Sequence, residues 1–161
     1  MNRLLILPVL ILTLLLGNPA FSADFQKGWD AAQSGDFATA LREWTPLAEQ
    51  GDAFAQTLLG MMYDNGDGVP QDKKSAVKWY RLAAEQRYAL AQYSLGYMYA
   101  TGNGVLQNYI HADMWWNFAA SQGFKKAKKN RKIIAKKMNP SQLEKAQKLA
   151  RECVRKKYKG C

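Results

Sequence analysis

The sequence predicts an all-α protein, an α-solenoid of antiparallel helix pairs closed by a C-terminal capping helix. Residues 51–86 lie over residues 87–122 without a gap, and self-similarity at such a period marks a stack of helical repeats. Within each copy Ala, Leu, Gly and Tyr recur at helical spacing: Ala55, Leu59, Gly60 and Tyr63, then Ala91, Leu95, Gly96 and Tyr99. That spacing places them on one stripe of a first helix. A glycine-rich turn then interrupts each copy, Asn65 to Pro70 in the first and Thr101 to Val105 in the second. A return helix follows it, over 72–86 and 108–122. The other coincident residues, Gln56 with Gln92, Trp79 with Trp115 and Ala83-Ala84 with Ala119-Ala120, are packing and turn types.

Taken in chain order, Arg3 precedes an apolar run from Leu4 to Leu16, followed by Gly17-Asn18-Pro19. The run is shorter than the ~20 apolar residues of a membrane-crossing helix, and small residues at Ala20 and Ser22 suit a signal peptidase. Residues 1–22 therefore read as a signal peptide cleaved after Ser22 or Ala23, and residues 23–161 as one helical-repeat domain of an exported protein. Residues 23–50 align their second half with the later copies: Ala40 over Ala76, Trp44 over Tyr80 and Ala48-Glu49-Gln50 over Ala84-Glu85-Gln86. Gly28 stands near the place of Gly60. The turn at Ser34-Gly35-Asp36 is short, and Pro46 removes a backbone donor inside the second helix, which should kink or loosen it.

After residues 51–86 and 87–122, residues 123–161 begin as a further first helix with Ala127 in the place of Ala91. Arg131 then replaces the repeat leucine and Lys132 the repeat glycine, and no Gly-x-Gly loop follows. A terminal unit with a polar outer face is what a repeat stack requires. The last helix opens with Asn139 as N-cap, Pro140 at its first position and Gln142 as capping-box partner. Its stripe of Leu143, Ala146, Leu149, Ala150 and Cys153 faces the stack, and Lys145, Lys148, Arg151 and Arg155 occupy the opposite face.

The run Ala53 to Gln71, A-x-A-Q-x-x-L-G-x-M-Y-x-x-G-x-G-V-x-Q, followed by Ala76 to Gln86, resembles the Sel-1-like repeat family, cousins of the tetratricopeptide repeats. The second copy departs from the family pattern at Leu90 and Leu106. The resemblance implies a right-handed α-solenoid and a non-catalytic protein-interaction role. If the first helices pack as in tetratricopeptide arrays, Trp29, Phe54, Thr57, Met61, Tyr93 and Tyr97 line one concave groove suited to a peptide or helix partner. The plainer reading is that such residues merely cover neighbouring helices.

The formal charge of +10 conceals a polarity along the chain. Residues 24–122 carry seven basic and eleven acidic side chains, a net −4, and residues 123–161 carry fifteen basic against Glu144 and Glu152, a net +13. Either an anionic envelope surface, such as lipid headgroups or lipopolysaccharide, meets the basic tail, or the lysines only solvate it. Export makes nucleic acid an unexpected partner.

Cys153 and Cys161 are the only cysteines, and an oxidising compartment can pair them. On a continuous helix their Cα atoms would stand ~12 Å apart, beyond the about 4.4–6.8 Å of a disulfide. Pairing therefore demands that the helix end before Tyr158. Two free thiols are the alternative.

Catalytic patterns are thin. Ser75-Ala-Val-Lys78 fits S-x-x-K, a nucleophile motif of penicillin-recognising enzymes, and cysteine-rich relatives in the resembled family have been linked to β-lactams. The partner motifs S-D-N and K-T-G are missing. His111 has no nucleophile or acid partner fixed by spacing, and Asp64 with Asp67, or Asp30 with Asp36, fall at turns, where Asp is expected. No enzyme activity, cofactor or metal is expected, and the protein is read as a monomer.

Overall fold

The structure, a computed structural model, describes residues 24–161; the signal-peptide expectation lies outside the described residues. Those residues form eight α-helices and no strand: α1 (Phe25–Gln33), α2 (Phe37–Glu49), α3 (Ala53–Asn65), α4 (Lys73–Glu85), α5 (Ala89–Thr101), α6 (Tyr109–Ser121), α7 (Lys125–Ala135) and α8 (Pro140–Arg155). Helix starts follow the capping rules, with side-chain caps from Asp24, Asp36, Asp52, Asp72, Asn108 and Asn139. Gly66 and Gly102 end α3 and α5 at φ 84° and 79°, a conformation glycine enters at little cost. Helix α2 runs through Pro46 without a break in its span.

The hairpins α1–α2, α3–α4 and α5–α6 stack in order, each second helix also touching the next first helix. An aromatic ring seats each hairpin. A Cβ added to Gly28 would meet Trp44 at 2.5 Å, one on Gly60 would meet Tyr80 at 2.6 Å, and one on Gly96 would meet Trp116 at 2.6 Å. Real side chains do not approach so closely, so the glycine is required by its partner ring. The indole N–H groups of Trp44 and Trp116 also donate to the carbonyls of Phe25 and Tyr93 (3.3 and 3.0 Å). Between hairpins, the second loop glycine does the same work: a Cβ on Gly68 would strike Phe37, and one on Gly104 the backbone of Lys73.

A buried amide ladder runs beside these seats. Gln56 and Gln92 donate to the carbonyls of Ala48 and Ala84 (3.0 and 3.1 Å) and accept from Gln86 and Gln122, both at 2.8 Å. Each glutamine thus ties its own hairpin to the preceding one without leaving a buried amide unpaired.

The pattern stops at α7. Lys132 stands where the glycine was, and Glu152 stands where the ring was, so the glycine and its partner are lost together. Helix α8 accordingly packs on α6 rather than forming a tight hairpin with α7, burying Ala146, Ala150 and Cys153. It ends at Arg155, Lys157 and Tyr158 turn through positive φ (53° and 66°), and Cys161 bonds to Cys153 with the Cα atoms 5.6 Å apart.

Candidate interaction groove

The first helices α1, α3, α5 and α7 form a row, and each exposes one large apolar side chain at the same register. Trp29 follows Gly28, Met61 follows Gly60, Tyr97 follows Gly96, and Ile133 follows the lysine that takes the glycine's place. Their fractional exposures are 37, 39, 46 and 50%. The register explains this: the glycine faces its partner ring, so the next residue along the helix is turned out of the hairpin.

Clefts lie between the members of the row. One of about 260 Å³ opens between α1 and α3, lined by Trp29, Leu58, Met61 and Asp67 among others. Another of about 230 Å³ is lined by Asp64, Tyr93, Ser94 and Tyr97 where α3 meets α5. A third of about 230 Å³ lies between α5 and α7, with Tyr97, Trp116, Ile133, Ile134 and Lys137 on its walls.

Of the six groove residues expected from sequence, Trp29, Met61 and Tyr97 stand on this surface. Phe54 and Tyr93 are half-buried: Phe54 lies between Phe25 (5.0 Å) and Tyr88 (5.9 Å), and Tyr93 packs on Phe124 (4.9 Å). Thr57 is a correction. Its side chain is wholly buried, with the hydroxyl donating to the Ala53 carbonyl at 2.7 Å, because it sits a turn earlier where α3 meets its neighbours. Ile133 was missed, although its offset from Tyr97 equals one repeat, because α7 had lost the marks of a repeat.

Lys145, Lys148, Arg151 and Arg155 lie exposed on α8, outside the row of first helices. Among the described residues, Arg155 alone of the four has an ion-pair partner, Glu152 at 3.8 Å. A further cavity, about 380 Å³, lies between α6, α7 and α8. One wall is an internal ion pair in which Arg131 donates to Asp113 (2.9 Å) and to Asn117 (2.8 Å).

The residues weighed for chemistry have structural occupations. The Ser75 hydroxyl donates to Asp72 (2.6 Å), whose carboxylate also accepts the backbone N–H groups of Lys74 and Ser75. Those bonds hold the Asp72 carboxyl below the usual range. Asp64 pairs with Lys73 (2.6 Å). His111 stacks on Tyr99 at 5.0 Å, and Arg81 donates to the Tyr99 hydroxyl at 2.6 Å. Burial, and then the Arg81 charge, lower the affinity of His111 for a proton. Among the described residues no group of three or more His, Cys, Asp or Glu could hold a metal ion.

Residues 53–88 and 89–124 match the Sel1 repeat family. The chain is similar to a protective antigen of uropathogenic Escherichia coli strains displaying an SLR fold, at 31% identity and a TM-score of 0.76, over 81% of this chain and 29% of that one. It is also similar to a Sel1 repeat protein from Oxalobacter formigenes, at 32% identity and a TM-score of 0.64, over 67% of this chain and 44% of that one. The chain thus spans less than half the length of either structure. No curated protein matches it.

Proposed function

Because this chain is a Sel1 repeat protein, we propose that it serves as a non-catalytic adaptor or scaffold of the bacterial cell envelope. It holds a segment of a partner protein against the row of first helices. Sel1 repeat proteins are generally protein-interaction modules, and their fold is generally non-catalytic. The observation that supports the groove is the stripe Trp29, Met61, Tyr97 and Ile133: scattered exposed apolar residues need no explanation, but one at the same register on each of four successive first helices is a repeated feature suited to a partner. Residues 23–161 act as one monomeric binding unit, working in the periplasm or outside the cell. The Cys153–Cys161 disulfide is compatible with export, as is the lack, among the described residues, of any helix long and apolar enough to cross a membrane.

The test is a crosslinking pull-down from the periplasmic fraction with the native chain and with Met61→Ala/Tyr97→Ala, folding being checked by circular dichroism. The variant should lose the partner; a partner retained in full would remove the groove assignment.

A second reading draws on α8, where Lys145, Lys148 and Arg151 are exposed with no ion-pair partner among the described residues. That face would hold anionic lipid or lipopolysaccharide phosphates. Binding through it should collapse on going from low to physiological salt, whereas an apolar segment in the groove stays bound.

A further inference from the structure

The groove changes character at α7. Where α5 has Leu90, Tyr93 and Thr101, the chain one repeat later has Lys126 and Lys129 in α7 and Lys137 just beyond it. Lys126 and Lys129 stand seven and four positions before Ile133, so they share its face of α7, and Lys137 lies two residues past the end of that helix. All are exposed. Lys137 lines the cleft between α5 and α7 beside Tyr97 and Ile133. None of the three forms an ion pair with a described residue. At the other end of the row the charge near the groove is negative, since Asp67 lines the cleft between α1 and α3, and the Asp64 carboxylate is taken up by Lys73. The surface therefore presents an apolar side chain on each of α1, α3 and α5, with an acid at one end and, at the other, Lys126, Lys129 and Lys137, the last of which lies over the Tyr109 ring at 5.8 Å.

Resting on the groove reading above, we propose that its occupant is a partner-protein segment of fixed polarity. Aromatic or aliphatic side chains enter the clefts of α1, α3 and α5, and the segment continues into carboxylates that lie over Lys126, Lys129 and Lys137. Complementary charge sets direction and register, while the apolar contacts supply most of the affinity. Reversing the segment would bring its carboxylates towards Asp67 and leave the lysines facing apolar groups.

The test is selection of phage-displayed random peptides on the oxidised mature protein. The enriched peptides are then synthesised and their binding measured by fluorescence anisotropy. The peptides should combine aromatic residues with Asp or Glu on one side. Replacing Lys126, Lys129 and Lys137 by Gln together should weaken binding about tenfold, since each exposed pair contributes little alone. The same loss should follow when the peptide's Glu residues become Gln.

Failure to select acidic–aromatic peptides, or binding unchanged in the lysine variant, overturns the carboxylate assignment. Groove binding survives if Met61→Ala/Tyr97→Ala still abolishes the interaction. Binding unaffected by Met61→Ala/Tyr97→Ala instead removes the groove reading and this proposal with it. Phosphatidylglycerol vesicles that displace the peptide through the same lysines would identify a lipid headgroup as the ligand and also overturn it.

Discussion

A methyl group on Gly96 would sit 2.6 Å from the indole of Trp116, which is itself buried and hydrogen-bonded to the Tyr93 carbonyl. Displacing the ring would disturb that hydrogen bond, so Gly96→Ala should cost about 1–3 kcal/mol by overpacking, although alanine is the better helix former. Urea unfolding measures this, and an alanine variant as stable as the parent would show that the seat is loose. His111 carries a pH dependence of definite sign. Its proton affinity is lowered in the fold, so the unfolded chain takes up the proton first. The stabilisation is fully present above the ordinary value of 6.5 and is lost as pH falls below it towards the folded value. Denaturation midpoints taken across that range should fall with acid in the native chain, and by less in His111→Gln. Neither consequence is visible in composition, because each depends on which ring lies opposite which residue.

Helix α7 shows how a repeat element is converted into an end. Asp113 and Arg131 hold the places that Val77 and Leu95, both buried, hold one repeat earlier. The last interface thus exchanges an apolar contact for an ion pair of 2.9 Å, with Asp113 almost fully buried. Removing Arg131 alone leaves that carboxylate uncompensated, and Arg131→Leu should cost about 3 kcal/mol. Asp113→Val with Arg131→Leu together should recover most of the loss, because well-packed apolar residues commonly replace a buried pair without penalty. A thermal-unfolding double-mutant cycle decides it: additive costs would mean that the two side chains do not act as a pair. The sequence showed Arg131 departing from the pattern, but Asp113 was legible as its partner only once α6 and α7 were packed together.

At the scale of the whole molecule, the carboxyl end is clasped back onto an earlier repeat. The Cys153–Cys161 bridge holds a loop in which Tyr158 meets the edge of Phe118 (5.0 Å) and lies under Arg87 (5.4 Å). Within the same loop the Gly160 N–H donates to Glu85 (3.1 Å), which also pairs with Lys159 (3.5 Å). Opening the bridge should lower stability by about 2 kcal/mol through the entropy of the freed loop. Unfolding with and without dithiothreitol checks this, and equal midpoints would mean that the noncovalent clasp suffices. By itself the sequence determined the helix pairs, the glycine turns, the Asn139 cap of the last helix and the need for that helix to stop before Tyr158. Those features follow from local spacing and backbone sterics, which act within a few residues. Tertiary structure decided which neighbours cover each side chain. It buried Thr57, half-buried Phe54 and Tyr93, and left Trp29, Met61, Tyr97 and Ile133 in a line, because exposure is settled by the element packed across from a residue. It also placed the lysines of α7 beside that line and those of α8 elsewhere, since α8 lacks the ring, and α7 the glycine, that would have drawn the two into one more hairpin.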